Sequence, residues 1–460
     1  MSTTTTFHNH TNTGERPRVN VVKRHVLWGG TPWRTSAAMY CALPVLAAVV
    51  VYILLYHPLA DSLRSGYAAS MVLSANSAII VVLPCCGAIF AWDIASLKRG
   101  GILSVPHGRS LLHVVVSRGM PTLVLGCFAM AVAWGLVLAH CRSMVTDHDV
   151  IAMAGALIKI PAAMSVALLI ALVSPYWLAP PLAMVLNYLP IVYAPAVDIF
   201  WLQHVNGFYY DGLPSDMQIA LRPVFASMVV SVGLMICAVM VVLVWRTSDC
   251  VSAKIATGRF VLCALGCVGV MLAALLAGRA LALPYGSFPG EPRTSGQVCE
   301  RMPGDSASSG HDELTVCLWQ EHRDLAKAVA LQTVEVRGHL DAVGYSTPSR
   351  IVEAAPGSSG WVIGVDNAMD VRQLRMAIVN GLHSTTLRLE TGQCQVTSES
   401  YLRHLVAQQW LYRVTGVDGS TNQGDIPGID AVQHDFDALS NSQKVVWVRA
   451  VMTEQADMCR

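Results

Sequence analysis

Long windows with no charged residue recur through the first part of this chain and decide what it can fold into. They lie at 35–56, 65–92, 119–141, 223–245 and 260–278, and a longer stretch from Asp149 to Asp198 contains one charge, Lys159. Hydrocarbon cannot satisfy free backbone N–H and C=O groups, so a chain crosses it as helices of roughly 20 mostly apolar residues. The "SPYW" at 174–177 reads as a tight turn that divides the longer stretch into two crossings. The predicted fold class is therefore an α-helical polytopic membrane protein with about seven transmembrane helices, followed by a small, mainly helical (α+β) extracytoplasmic domain. The spans fall near 35–56, 70–92, 120–141, 150–173, 176–197, 223–245 and 260–283.

Charge divides the chain the same way. Only 13% of its 460 residues are charged, against about 25% in an ordinary soluble domain. From residue 284 onward there are 14 Lys/Arg against 21 Asp/Glu, a formal −7, while the first 283 residues hold 17 basic and 9 acidic groups. The domain organisation that follows is a cytoplasmic tail over 1–34, a transmembrane domain over 35–283, a Pro/Gly/Ser-rich linker over 284–310 and an acidic outer domain over 311–460. No basic stripe with interleaved aromatics is present, which argues against nucleic acid as a partner.

Orientation follows from the Lys/Arg bias of the loops. The N-terminal segment (Arg16, Arg18, Lys23, Arg24, Arg34), loop 93–118 (Lys98, Arg99, Arg109, Arg118) and loop 246–259 (Arg246, Lys254, Arg259) are basic. The alternate loops are neutral or acidic. All three basic segments share a side only if 150–197 crosses twice, which places the N-terminus in the cytoplasm and the acidic domain outside a bacterial plasma membrane. The first span begins too far into the chain to read as a cleaved signal peptide.

Loop 93–118 is the longest cytoplasmic connection. Within it "SLLHVVV" (110–116) predicts a short amphipathic helix lying at the membrane surface. Outside, 198–222 is rich in aromatics (Phe200, Trp201, Phe208, Tyr209, Tyr210), as expected of an interfacial belt or a segment dipping into the outer leaflet. Lys159 lies inside its span, Pro180 and Pro181 are expected to break the fifth helix, and Arg279 ends the seventh. No Asp or Glu lies inside the spans, which argues against proton- or sodium-driven transport. The chain also has no G-x-x-x-x-G-K-[ST] loop, so ATP hydrolysis by that route requires another polypeptide.

Three stretches, "AWDIASLKRG" (91–100), "WLQHVNGFYYDGLPSDMQIALRP" (201–223) and "VCLWQEH" (316–322), resemble a group of actinobacterial membrane proteins in which ABC-2-type permease-like spans precede an extracytoplasmic domain. Gln320 departs from that group's pattern, where Pro is expected, and a seventh span exceeds the usual six of a permease. The resemblance implies the membrane subunit of an ATP-driven ABC-type exporter, working as a homo- or heterodimer with a separate ATPase. On that reading loop 93–118 is expected to contact the ATPase, with Trp92, Arg99, Arg109 and Arg118 chosen here as the contact region. The alternative is a membrane-anchored extracytoplasmic module for sensing, envelope assembly or peptide processing.

In the outer domain, helices are expected at about 321–341, 370–382, 399–415 and 440–457, with Asp370 and Ser440 as N-caps and Gly381 and Gly416 as stops. "GWVIGVD" (360–366) reads as a strand. Trp319, Leu325, Trp361, Leu402, Trp410, Leu411, Val446 and Trp447 are the expected core. Cys299, Cys317, Cys394 and Cys459 allow one or two disulfides in an oxidising compartment, with three pairings open.

The stretch "HDELTVCLWQEH" (311–322) concentrates metal-ligating residue types, but His311 and His322 are too far apart for one helix face, and no H-E-x-x-H occurs. Packing is the expected reason for it: "TVCLW" as an extended edge segment burying Val316, Leu318 and Trp319, with Glu321 and His322 opening a helix. No G-x-S-x-G and no Cys/His catalytic spacing is present, so neither catalysis nor a cofactor is expected of this chain.

Overall fold

The computed structural model describes residues 35–56, 66–100, 111–197, 199–207, 213, 215–248, 253–286, 289–293, 296–302, 314–354, 361–367, 369–384, 398–417 and 428–458. Among these, six helices are long and apolar enough to cross a membrane: Ala37–Leu55, Ala68–Arg99, Leu111–Leu138, Asp147–Val173, Leu221–Trp245 and Gly258–Ala282. A shorter apolar helix covers Ala179–Ala194. The chain is a multi-pass membrane protein by this composition, with a small α+β region after the last long helix.

The elements are α1 (Ala37–Val51), extended by a wider turn over Tyr52–Tyr56; α2 (Ala68–Asn76) and α3 (Ile79–Arg99); α4 (Leu111–Leu138); α5 (Asp147–Val173); and α6 (Ala179–Ala196). A short α7 (Phe200–Asn206) and strand β1 (Met217–Ile219) lead into the hairpin of α8 (Leu221–Ser248) and α9 (Ala253–Ala282). The α2–α3 rod is the centre of the bundle. It packs on α1, α4, α5 and α6, and most of its side chains are buried by protein. By contrast α9 packs mainly on α8 and α7 and leaves Leu262, Leu265, Val268, Leu272 and Leu276 exposed, as a helix bathed in lipid would.

Several local expectations are revised. "SLLHVVV" forms no separate surface helix. Leu111 to Val116 are the first turns of α4, continuous with the span, and Gly119 lets Phe90 and Met164 pack closely there. The span before it runs on to Arg99, so Trp92 and Arg99 are helical. Pro180 and Pro181 open α6 rather than break it, at positions where the missing N–H costs nothing. Thr146 and Asp149 form a reciprocal capping box at the start of α5.

Beyond α9, the segment expected to be a linker is partly folded. Strand β2 (Gly290–Pro292) pairs antiparallel with β1, and β3 (Gln297–Met302) pairs antiparallel with β4 (Leu314–Trp319). Composition concealed both strands, because Pro and Gly flank short runs, and the partner of β2 lies more than 70 residues earlier in the chain. β5 (Arg350–Glu353) and β6 (Trp361–Ile363) follow in parallel to complete a four-stranded sheet of order β3-β4-β5-β6. β4 is therefore an interior strand and not an edge, which explains why five of its six residues are buried.

A 3-10 turn (Gln320–Leu325) leads from β4 into α10 (Ala326–Ala342), and α11 (Val371–Ser384), α12 (Ser398–Val414), α13 (Ile429–Asp437) and α14 (Asn441–Met458) complete the domain. Asp370 and Ser440 each accept from the backbone N–H three residues on, while Gln373 and Gln443 reach back to them. Gly416 ends α12 with φ +66°, but Gly381 lies inside α11. A Cβ there would sit 2.6 Å from the Val362 carbonyl oxygen, so its smallness serves helix–strand packing. Of the expected core, Trp319, Trp361, Trp410 and Leu411 are buried, whereas Val446 faces solvent and its neighbours Val445 and Val448 pack inward.

Candidate functional site

The bundle has two unlike ends. At the far end from the α+β domain, Asp93 reaches from α3 to the start of α1. Its carboxylate accepts from Ser36 Oγ at 2.6 Å and from the Ala37 backbone N–H at 3.0 Å, capping α1 from outside. Arg118 of α4 donates to Thr35 Oγ1 at 2.7 Å. Lys98 Nζ holds the last carbonyls of α5, those of Leu172 and Ser174, at 2.7 and 3.1 Å. Between these ties a pocket of about 540 Å³ opens among α1, α3, α4 and α6, with Tyr40, Trp92, Asp93 and Arg118 in its wall. Trp92 is 55% exposed, a large aromatic at a polar mouth.

Of the four expected contact residues, Trp92 and Arg118 thus share one pocket. Arg99 instead stacks on Tyr176, its guanidinium carbon 4.8 Å from the ring centroid. Arg109 lies outside the described residues. Asp93, which orders the start of α1, carried no signal beyond being the one acid in a basic loop.

At the other end, the α+β domain is clamped to the bundle through Arg293, the residue after β2. Its guanidinium lies between two rings, 4.3 Å from the centroid of Tyr67 at the foot of α2 and 4.0 Å from that of Trp319 at the end of β4. It donates to the Ser215 carbonyl at 2.9 Å and to Glu321 Oε1 at 2.7 Å. Tyr67 donates its hydroxyl to the Met217 carbonyl at 2.7 Å, and burial holds its phenol above the ordinary value, so it remains a donor. Arg142 bonds Asn367, and His148 Nδ1 lies 2.7 Å from the Ile219 carbonyl oxygen.

The stretch 311–322 finds its explanation here. His311 lies outside the described residues, but Glu321 and His322 are fully buried in the clamp. His322 Nδ1 lies 2.7 Å from Glu353 Oε1, and the Trp319 backbone N–H donates to the other oxygen at 2.9 Å. Burial raises the Glu353 carboxyl above its usual range, against the lowering effect of His322 and Trp319. Among the described residues no three His, Cys, Asp or Glu side chains converge to hold a metal ion.

Cys299 and Cys317 face each other across β3 and β4 and form a disulfide; Cys394 and Cys459 lie outside the described residues. Arg293, Glu353, Tyr67 and Ser215 were not singled out in the sequence. Each is a single polar residue whose partner lies dozens to hundreds of positions away.

Residues 316–457 match a family described as a domain of unknown function (DUF7224). The matched region begins inside β4 and covers the rest of the α+β domain, leaving the bundle and β3 outside it. No curated protein and no solved structure matches the chain.

Proposed function

We propose that this chain is the membrane subunit of an ATP-driven ABC-type exporter whose ATPase is a separate polypeptide. The observation that carries the reading is the open far-end pocket, where exposed Trp92 and half-buried Arg118 stand beside a helix start tied down by Asp93. Such a recess between well-packed helices suits an inserted helix of a force-generating partner: an aromatic anchor with basic neighbours is a common centre of binding energy.

Seven crossings underlie the proposal. α6 starts beside Tyr176, which stacks with the end of α3, and runs toward α7, where Asn206 bonds the Pro190 carbonyl. It thereby supports a return passage between the fourth and sixth long helices. On this topology the basic segments are cytoplasmic by the positive-inside rule, and the α+β domain is extracytoplasmic in a bacterial plasma membrane. The exporter would form as a homo- or heterodimer of such subunits, the outer domain gating or shielding the exit.

Purification of the tagged full chain from its native membranes tests this. A co-purifying polypeptide with a phosphate loop, lost on Trp92→Ala together with Arg118→Glu, is the expected result. A chain that elutes alone with undiminished folding would overturn the proposal.

A further inference from the structure

Lys159 is the thirteenth of the 27 residues of α5. The acids of the long helices, Asp93, Asp147 and Asp149, lie within two turns of a helix end. The Lys159 side chain does not snorkel, being only 8% exposed. Its ammonium donates to the Gly207 carbonyl at 2.5 Å, and no carboxylate faces it among the described residues. An ammonium has three N–H donors, and a buried cation with one neutral acceptor among the described residues is costly where an apolar side chain would pack freely.

Gly207 is fitted to this contact in two independent ways. Its φ is +64°, and a Cβ there would lie 2.1 Å from Lys159 Nζ and 3.0 Å from Ser227 Cβ. Ser227 is six residues into α8, so Gly207 sits about 9 Å below the start of that helix. α7 therefore ends on the lysine, beside the second turn of α8. A second cation, Arg279 of α9, stacks on Trp201 in the same helix, its guanidinium carbon 5.8 Å from the ring. About 15 Å further along α5, at Leu169, a trough of about 480 Å³ opens between α5, α8 and α9. Its wall, including Leu234, Val241, Val268 and Leu272, carries no charged side chain.

We propose that Lys159 anchors the anionic head of the transported molecule, an amphiphile with one carboxylate or phosphate head and an apolar tail. The head takes the ammonium from the Gly207 carbonyl and releases α7, while the tail occupies the trough. This names a substrate class and rests on the exporter reading given above.

The test is titration of the full chain, in an uncharged detergent and without any ATPase, with dibrominated stearate, which quenches tryptophan fluorescence on contact. The alcohol and the amine of the same chain are the comparison. Stearate is expected to half-saturate at a concentration about tenfold lower than either. Lys159→Gln is expected to raise that value to the alcohol's, and Lys159→Arg to keep it within about threefold, since the charge is retained.

Equal half-saturation by the three head groups in the unaltered protein would overturn the proposal without recourse to any variant. So would a folded Lys159→Gln protein that binds stearate as before. Head-group discrimination by a chain that never co-purifies with an ATPase would sink the exporter reading and leave the anion site standing. An ATPase-bound chain with no discrimination would do the reverse.

Discussion

The two ends of the bundle use the same residue types to opposite effect. Near the α+β domain, Arg293 is enclosed by Tyr67 and Trp319, and its donors meet Ser215 and Glu321, so an arginine and two aromatics are consumed in a closed joint. At the far end Arg118 and Trp92 line an open pocket, while Asp93 is committed to the start of α1 and Arg118 also holds Thr35. The closed joint ties the α+β domain to the bundle. The open pocket leaves Trp92 accessible, as the proposed docking of a partner requires.

The contrast breaks most readily at the closed joint. Arg293→Ala leaves Glu321 buried without its cation, and its other carboxylate oxygen has no partner among the described residues. A loss of about 3–5 kcal/mol is expected for such an orphaned charge, read as a large fall in melting temperature of the detergent-solubilised protein. Trp319→Ala should cost a similar ~3–5 kcal/mol through lost packing, and a smaller fall for it than for surface variants would show that the ring is not structural.

Reduction of the Cys299–Cys317 disulfide, or Cys299→Ser with Cys317→Ser, is expected to cost roughly 2–4 kcal/mol. The reading is a melting temperature that drops with reductant in the unaltered chain and is insensitive to it in the double variant.

A smaller effect concerns pH. Because burial raises the Glu353 carboxyl, the native state holds that proton more tightly than the unfolded chain does. Its contribution to stability is therefore fully present below the unfolded value and declines as pH rises through the folded one. Glu353→Gln should flatten the pH dependence of melting over the acid range, and an unchanged slope would refute this role. At the open end, Trp92→Ala should shift stability by no more than about 0.5 kcal/mol while abolishing partner binding.

Much of the bundle was legible because lipid imposes one rule on every span: long, uncharged and helical. The turn at 174–177, the caps at Asp370 and Ser440 and the helices of the α+β domain are local in the same sense. What sequence concealed was non-local. β2 and β3 were hidden among prolines and glycines because each strand exists only through its partner, Met217 to Ile219 for one and Leu314 to Trp319 for the other. Gly381 looked like a helix stop because its reason, the Val362 carbonyl, lies on another element. The site divides along the same line. Trp92 and Arg118 could be read from a basic loop beside a span, but nothing around Arg293 indicates that Tyr67, 226 positions earlier, will cover its guanidinium.

The claim beneath the account is that these ends face different compartments, the closed joint outside and the open pocket in the cytoplasm. A protease-cleavable tag after Arg460 tests it directly, through digestion of intact spheroplasts and of inside-out vesicles in parallel. Cleavage in spheroplasts and protection in inside-out vesicles is the predicted result. Cleavage only in the inverted vesicles would contradict the topology and, with it, the docking of an ATPase at the Trp92 pocket.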